Sequence, residues 1–457
     1  MSAVVQPGRA SNPGRLLPLL VDPDLRRTFA WRDGVPVSAG QFVADVEALA
    51  KLLPLAQYAM NLCEDRYHFL VAFCAVALAG QTNLLPSSRT PQTVAETLHA
   101  YAGSYALSER ALDPAPAQQF VLPQNLGSGA GTIVPEIPTQ HVVAIAFTSG
   151  STGQPKANAK TWGSFCASSA LNAELLCAEP APHIIATVPP QHMYGLELSV
   201  LLPLRSHAAV AVGQPFFPAD IAQALLAVPA SRLLVTTPVH LRALLRAAPA
   251  LPELAAIVSA TAPLDRELAG AVESRYGARV IELFGSTETC VIAHRRTTHD
   301  GPWQLYDGIT LHPQPDGTLV EAPHFAAPTL LQDIVELLPQ QRFTLCGRNS
   351  DLLEIAGKRA SLGDLTRRLL AIPGVEDGMM FVLDPDATGI SRLAALVVAP
   401  SLREGDVLGT LRQSIDPVFL PRPLRCVAAL PRNATGKLPR DALLAALQNL
   451  ILAAPGT

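Results

Sequence analysis

A chain of 457 residues, 49% of them hydrophobic and 16% charged, has the length and apolar content for two or three domains with sizeable cores. A formal net charge of −4 excludes the strongly basic surface on which nucleic-acid binding depends. The seven cysteines (63, 74, 166, 177, 290, 346 and 426) are odd in number and form no C-x-x-C pair. They read as free thiols of a reducing compartment, and a cytoplasmic location is expected.

The N-terminal segment lacks the basic-then-apolar pattern of a secretory leader. The stretch Phe69 to Leu78, after Asp65-Arg-Tyr-His68 and before Gly80, is too short to cross a bilayer and reads as a buried helix. Gly127 to Gly131 reads as a Gly/Ser loop. Val142 to Phe147, β-branched at its start, reads as a buried strand. That strand feeds Phe147-Thr-Ser-Gly-Ser-Thr-Gly-Gln-Pro-Lys156. Here the hydroxyls of Thr148, Ser149, Ser151 and Thr152 stand among Gly150 and Gly153, and Lys156 closes the segment. Glycines let the backbone turn several N–H groups onto one anion, and hydroxyls and an ammonium add donors, which suits a polyphosphate. In the nucleoside-triphosphatase loop, lysine directly follows the second glycine. Here Gln154 and Pro155 intervene, and the proline disfavours a helix start. A flexible linker is the bland alternative, but linkers rarely end in Pro-Lys.

This decamer resembles the phosphate-binding signature of the AMP-forming adenylating enzymes: acyl- and aryl-CoA synthetases, luciferases and the adenylation domains of peptide synthetases. Partner motifs follow in order. Val188-Pro-Pro-Gln-His192-Met-Tyr-Gly195, ahead of an apolar helix-like run from Leu196 to Leu204, is similar to the family's His-containing segment. The resemblance implies that His192, Met193 and Gly195 border the acyl pocket, with His192 beside the incoming carboxylate. Glu197 reads as a solvated or capped helix position, with a polar group of the substrate as the alternative contact. Val258-Ser-Ala-Thr-Ala-Pro-Leu264 resembles the turn that packs on adenine, which assigns Thr261 and Ala262 to ATP. Ala260 and Thr261 stand where that family has glycines.

Val280-Ile-Glu-Leu-Phe-Gly-Ser-Thr-Glu288 reads as a strand, a glycine turn and then adjacent hydroxyl and carboxylate; as bare structure it reads as a strand followed by an N-capped helix. A hydroxyl next to a carboxylate suits a phosphate oxygen and its magnesium. The resemblance assigns Thr287 to the α-phosphate, Glu288 to the metal, Phe284 to stacking on adenine and Glu282 to its amino group. Asp333, in Leu331-Gln-Asp-Ile-Val335 and read as a loop residue, would accept from the ribose hydroxyls, although the usual preceding Thr-Gly is missing. Cys346-Gly-Arg348-Asn-Ser350-Asp351 through Gly357-Lys-Arg359 is similar to the inter-domain hinge. There Arg348 would reach the ribose, Ser350 stands at the pivot and Gly357 belongs to the thiol tunnel. Last comes Thr435-Gly-Lys437, whose lysine would bridge the carboxylate and the α-phosphate as charge develops.

The resemblance implies a multi-domain α/β fold: a large αβα-layered N-terminal domain (1–347) joined by the hinge to a smaller α+β domain (351–457). Strand-like Ala394 to Val398 and helix-like Leu362 to Leu370 agree with it. It implies ATP and Mg²⁺ as cofactors, a small carboxylic acid as substrate, and CoA or a carrier protein's phosphopantetheine as acceptor. No cysteine nucleophile is required. The His-Met-Tyr-Gly-Leu segment favours a benzoate- or cinnamate-type acid over a medium-chain fatty acid. A nucleotide- or acyl-adenylate-binding protein without turnover is the alternative from another class.

Overall fold

The computed structural model describes residues 14–453 except 87, 124, 128, 149–155, 178–179, 315–316, 349–351, 356–357, 384–391 and 434–437. It is mixed α/β and divides into two compact units, one of residues 1–309 with 322–327 and one of 310–321 with 328–457. The main run of the first unit ends at Ile309, and the expected hinge motif lies within the second. Ser350 itself lies outside the described residues.

The larger unit holds two extended sheets. In one, the strands Val142–Thr148, Thr82–Leu85, Tyr58–Asn61, Tyr105–Ser108 and Gln119–Val121 run parallel, and Lys156–Thr161 adds antiparallel to Val142–Thr148. Tyr58–Asn61, Thr82–Leu85 and Tyr105–Ser108 are buried at every position, as strands covered by helices are. The expected buried helix is one of these covers. It spans Arg66–Leu78, is capped by the Asp65 carboxylate accepting from the His68 N–H, and is buried on nearly every face.

In the other sheet, Val280–Ser286, Ala256–Ser259, Arg232–Thr236, His183–Ala186, Ala209–Ala211 and Thr28–Arg32 are parallel neighbours in that order. Ile185, Leu234, Ile257 and Val280 pack beneath Ile221, Leu225, Leu241, Leu244 and Val272 of the covering helices. Ligands of open parallel sheets bind outside the carboxyl ends of the strands. Three of the sequence motifs reach that edge: Val188–Gly195 follows the strand ending at Ala186, while Val258–Leu264 and Val280–Glu288 run past the ends of the strands closing at Ser259 and Ser286.

The smaller unit repeats the logic on a smaller scale. Its strand Leu393–Val398 is buried along its whole length. Leu393, Ala395 and Val397 face the helices Leu362–Leu370 and Glu404–Ser414, while Ala394, Leu396 and Val398 face Leu443 and Leu447 of the helix Arg440–Ala453. A strand covered on both faces has no polar alternation to show. The helix expected at Leu362 to Leu370 forms with those limits.

The run expected as one helix from Leu196 is more irregular. An α-turn spans Met193–Leu196, a π-turn Glu197–Leu201 and a last α-turn Leu202–Leu204. Gly195 is required where this segment begins, because a Cβ there would lie 2.0 Å from the Pro189 carbonyl oxygen. Gly195→Ala should therefore cost on the order of 1–3 kcal/mol, read as a melting temperature lower by several degrees. An unchanged melting curve would mean that the Pro189 turn has slack to give.

Candidate active site

In the larger unit, four segments carry residues singled out by sequence. The first is a hairpin. Thr148 ends one strand and Lys156 begins the next, and the two are Cα partners in the antiparallel register. They bracket Ser149, Gly150, Ser151, Thr152 and Gly153, which lie outside the described residues.

The second segment is the turn after Ala186. The Arg66 guanidinium, completely buried, donates to the carbonyls of Ala186 and Val188 at 3.0 and 2.8 Å and to the Ser199 hydroxyl. Burial lowers its pKa to about 10, still far above neutrality, so the group stays charged. Half-buried His192 caps the helical turn that follows, and Met193, Tyr194 and Gly195 are buried. The Tyr194 hydroxyl lies 3.2 Å from the Thr236 carbonyl and 2.9 Å from that of Val258. It thereby ties this segment to the carboxyl ends of two neighbouring strands.

The third segment is the turn after Ser259. Thr261 has φ +79°, left-handed backbone that a β-branched residue rarely adopts, which is the physical reason glycine is usual at such a position. Glu282 fastens this turn. One of its oxygens accepts from the Leu264 N–H at 2.9 Å, and the other accepts from Arg295 Nε at 2.7 Å and Thr297 Oγ1 at 2.8 Å. The carboxylate is buried. Protein donors engage both oxygens of Glu282, the carboxylate expected to accept from an adenine amino group, and it holds Leu264, two residues beyond Ala262. Arg295 lies 4.4 Å from the Trp303 ring centre, and half-buried Phe284 packs on Trp303 at 5.4 Å. A supported aromatic surface results.

The fourth segment joins Val280–Ser286 to Cys290–Arg295. No helix follows the glycine turn, contrary to the bare structural expectation; the chain reverses into an antiparallel strand. Gly285 is needed because a Cβ would lie 2.2 Å from the Cys290 carbonyl oxygen. Ser286 and Thr289 hydroxyls close the turn on its own N–H groups, which leaves Thr287 and Glu288 half-exposed.

Glu197 is neither solvated nor a cap. It is 1% exposed, and its Oε2 accepts from Ser168 Oγ at 3.0 Å, Asn172 Nδ2 at 3.4 Å and the Val291 N–H at 3.1 Å. Asn172 in turn accepts from the Tyr306 hydroxyl at 2.9 Å. A lone charge inside an apolar run was the sequence signal for this, since a carboxylate there must find donors. Lys160, also buried, donates to the Glu288 carbonyl, and sequence reasoning missed it.

In the smaller unit, Asp333 opens a strand rather than sitting in a loop, and it is the Cα partner of Arg348 on the adjacent strand. The register puts the two residues assigned to the ribose directly opposite each other. Ser350, Gly357 and Lys437 lie outside the described residues. No group of three or more potential metal ligands occurs among the described residues, and no helix there is long and apolar enough to cross a membrane.

Comparisons with known proteins show the family and the fold. Residues 36–316 match the family model of the AMP-binding enzyme. A 4-coumarate–CoA ligase of Rhodobacter capsulatus is 31% identical over 301 residues, covering 64% of this chain and 74% of that protein. A 3-hydroxybenzoate–CoA/4-hydroxybenzoate–CoA ligase of Thauera aromatica is 24% identical over 404 residues, 78% of this chain and 77% of that one. Among solved structures, ATP-bound MatB from Rhodopseudomonas palustris superposes with TM-score 0.80 at 19% identity, covering 93% of this chain and 97% of that one. The o-succinylbenzoate CoA synthetase of Bacillus subtilis, in complex with its acyl-adenylate, gives 0.80 at 18%, covering 94% and 98%. The chain belongs to the AMP-binding enzyme family. It is an AMP-forming ligase of the acyl-CoA synthetase class, whose first reaction is adenylation by ATP.

Glu197 supplies a test of the site's electrostatics. Burial, opposed by hydrogen bonds and by the Lys160 charge, raises its pKa from 4.5 to about 7. Beside the Lys160 charge, the thiol and phenol facing it stay neutral in that range: Cys290 is pushed up to about 12 by burial and then by Glu197, and Tyr306 is raised by the same two causes. Between the two Glu197 values the folded state holds the proton more tightly than the unfolded chain, so stability contributed here falls as pH rises. The stability difference between wild type and Glu197→Gln should decline from pH 5 to 7, by at most about 1.4 kcal/mol per pH unit, and then level off. Parallel urea-denaturation profiles across that window would contradict the assignment.

Proposed function

We propose that this ligase activates an aryl carboxylic acid of the benzoate or cinnamate type to its acyl-adenylate and passes the acyl group to the thiol of CoA, or of a carrier protein's phosphopantetheine arm. One observation carries the reading: the motif-bearing turns follow the carboxyl ends of parallel strands, with Thr287 and Glu288 half-exposed on the last of them. The names of the relatives, ligases of 4-coumarate and hydroxybenzoates, favour an aryl acid.

In the first half-reaction the substrate carboxylate attacks the α-phosphorus of ATP in line, and pyrophosphate leaves. Main-chain N–H groups and hydroxyls from Thr148 to Gly153, with Lys156, hold the phosphates. Thr287 donates to an α-phosphate oxygen. Oxygen donors of this kind suit Mg²⁺, which Glu288 would hold and which would neutralise phosphate charge. Phe284, backed by Trp303, offers its face to the adenine beside the Thr261–Ala262 turn, and Asp333 with Arg348 engages the ribose. His192 orients the carboxylate at the mouth of the pocket that Met193 and Gly195 wall. Lys437 bridges carboxylate and α-phosphate as negative charge accumulates between them. In the second half-reaction, rotation about Ser350 withdraws Lys437 and brings the Gly357 segment to the thiol, which displaces AMP. A cytoplasmic location accords with the free thiols.

The reading is tested by acid-dependent ATP–pyrophosphate exchange over a panel of hydroxybenzoates, cinnamates and medium-chain fatty acids. Exchange should be strongest with aryl acids; exchange confined to fatty acids would overturn the substrate class, and none with any acid would overturn the chemistry. Lys437→Ala should lower the exchange rate about 100- to 1,000-fold, the loss typical of removing one charge-stabilising donor, while thioester formation from preformed acyl-AMP changes only a few-fold. Equal loss in both half-reactions would remove Lys437 from the assigned role.

A further inference from the structure

We propose that Lys160 and Glu197 act as a buried clamp on the main chain of the Ser286–Val291 turn, and are positioning residues for Thr287 and Glu288. This rests on the reading of that pair as the phosphate- and metal-facing groups. The two anchors fall on either side of Cys290. Lys160 donates to the Glu288 carbonyl, and Glu197 accepts from the Val291 N–H at 3.1 Å. Each comes from a different motif-bearing element. Lys160 is on the strand that leaves the phosphate loop, and Glu197 is two residues past Gly195 of the acyl-pocket segment. Three parts of the site are thereby fixed to one another through two side chains.

Backbone irregularities coincide with the clamp. The register between the hairpin strands shifts at Lys160/Thr161, and a bulge of this kind re-aims a side chain. Glu197 opens the π-turn, the helical irregularity that recurs at functional sites. Cys290, between the anchors, has φ +64°, and the register of its strand pair shifts at Phe284/Gly285. Such departures are maintained only where surrounding structure over-determines them. Burial supplies that determination: Glu197 is 1% exposed and Lys160 7%. Two buried charges of opposite sign offset each other, and removing one strands the other. The carboxylate is oriented from beneath by Ser168 and Asn172 on the helix Trp162–Leu176. Neither clamp residue needs to touch substrate. Lys160 acts through the main-chain carbonyl of Glu288 itself and Glu197 through the N–H of Val291, three residues beyond it.

The test compares wild type with Glu197→Ala, Glu197→Gln and Lys160→Met in the full-length protein by two independent measurements. Amide hydrogen exchange of the 284–293 peptide reads the clamp directly, without reference to activity. Protection should fall about tenfold or more in Glu197→Ala and Lys160→Met, the change expected for losing a hydrogen bond to a charged group. It should be largely restored in Glu197→Gln, whose carbonyl still accepts. Acid-dependent pyrophosphate exchange reads the consequence. A displacement near 1 Å costs about 100-fold, so kcat should drop on that scale in the two disruptive variants and the magnesium dependence should shift upward. KM for the acid should change little, and Glu197→Gln should recover most of the rate. Unchanged protection in Glu197→Ala and Lys160→Met overturns the clamp whatever the activity, and so does loss of KM alone. Wild type without exchange activity overturns the assignment of Thr287 and Glu288 instead, and peptide protection then still decides the clamp. Should Glu197→Ala fail to fold, Lys160→Met and Glu197→Gln carry the same comparison.

Discussion

The turns at the carboxyl ends of the parallel strands are each fastened by a buried ionisable side chain from another element. Arg66 holds the carbonyls of Ala186 and Val188, Glu282 holds the Leu264 N–H, and Lys160 with Glu197 holds the turn around Cys290. A turn has no ladder of hydrogen bonds to fix it, so its geometry is set by whatever its free N–H and C=O groups meet. Charged partners in a dry interior make the strongest such bonds. Their desolvation is costly, and that cost is offset only if the donors and acceptors are in place.

The same constraint explains why the site can tolerate unusual residues. Thr261 occupies left-handed backbone without being glycine, and Glu282, anchored by Arg295 and Thr297, holds the other end of that turn. Trp303 supports Phe284 from behind while Arg295 packs on the indole. The adenine-facing aromatic assigned to Phe284 is therefore part of a layered stack, and Arg295 connects that stack to the carboxylate holding Leu264. Strain in one residue is borne by a network around it.

The parallel sheet supplies what the turns cannot. Its strands place their carboxyl ends side by side, and Tyr194 bonds across two of them at once. Through that side chain the Val188–Gly195 segment reaches Val258, more than sixty residues further along the chain. Large apolar cores on the sheet faces keep those strands in register, so the edge that faces a ligand is held rigid by packing remote from it.

How much was legible in the sequence follows from which interactions are local. Local chemistry sufficed for the strand Val142–Thr148, the Gly-Ser-Thr-Glu turn, the buried helix ending at Leu78 and the helix Leu362–Leu370. Glycine placement, hydroxyl spacing and apolar periodicity are properties of a few consecutive residues. They also sufficed for the family, because the motifs keep their order along the chain. The tertiary structure alone decided the fates of Glu197, Glu282 and Lys160. A carboxylate or ammonium in a short segment reads as solvated until the elements that bury it are known, and those lie between 13 and 128 residues away in the bonds that matter here. It also decided that Asp333 stands opposite Arg348, since strand register is a property of pairs. Sequence identified the family and its motifs; packing determined which buried charges hold the motif-bearing turns in position, because the energy of a buried charge depends on partners that no local window contains.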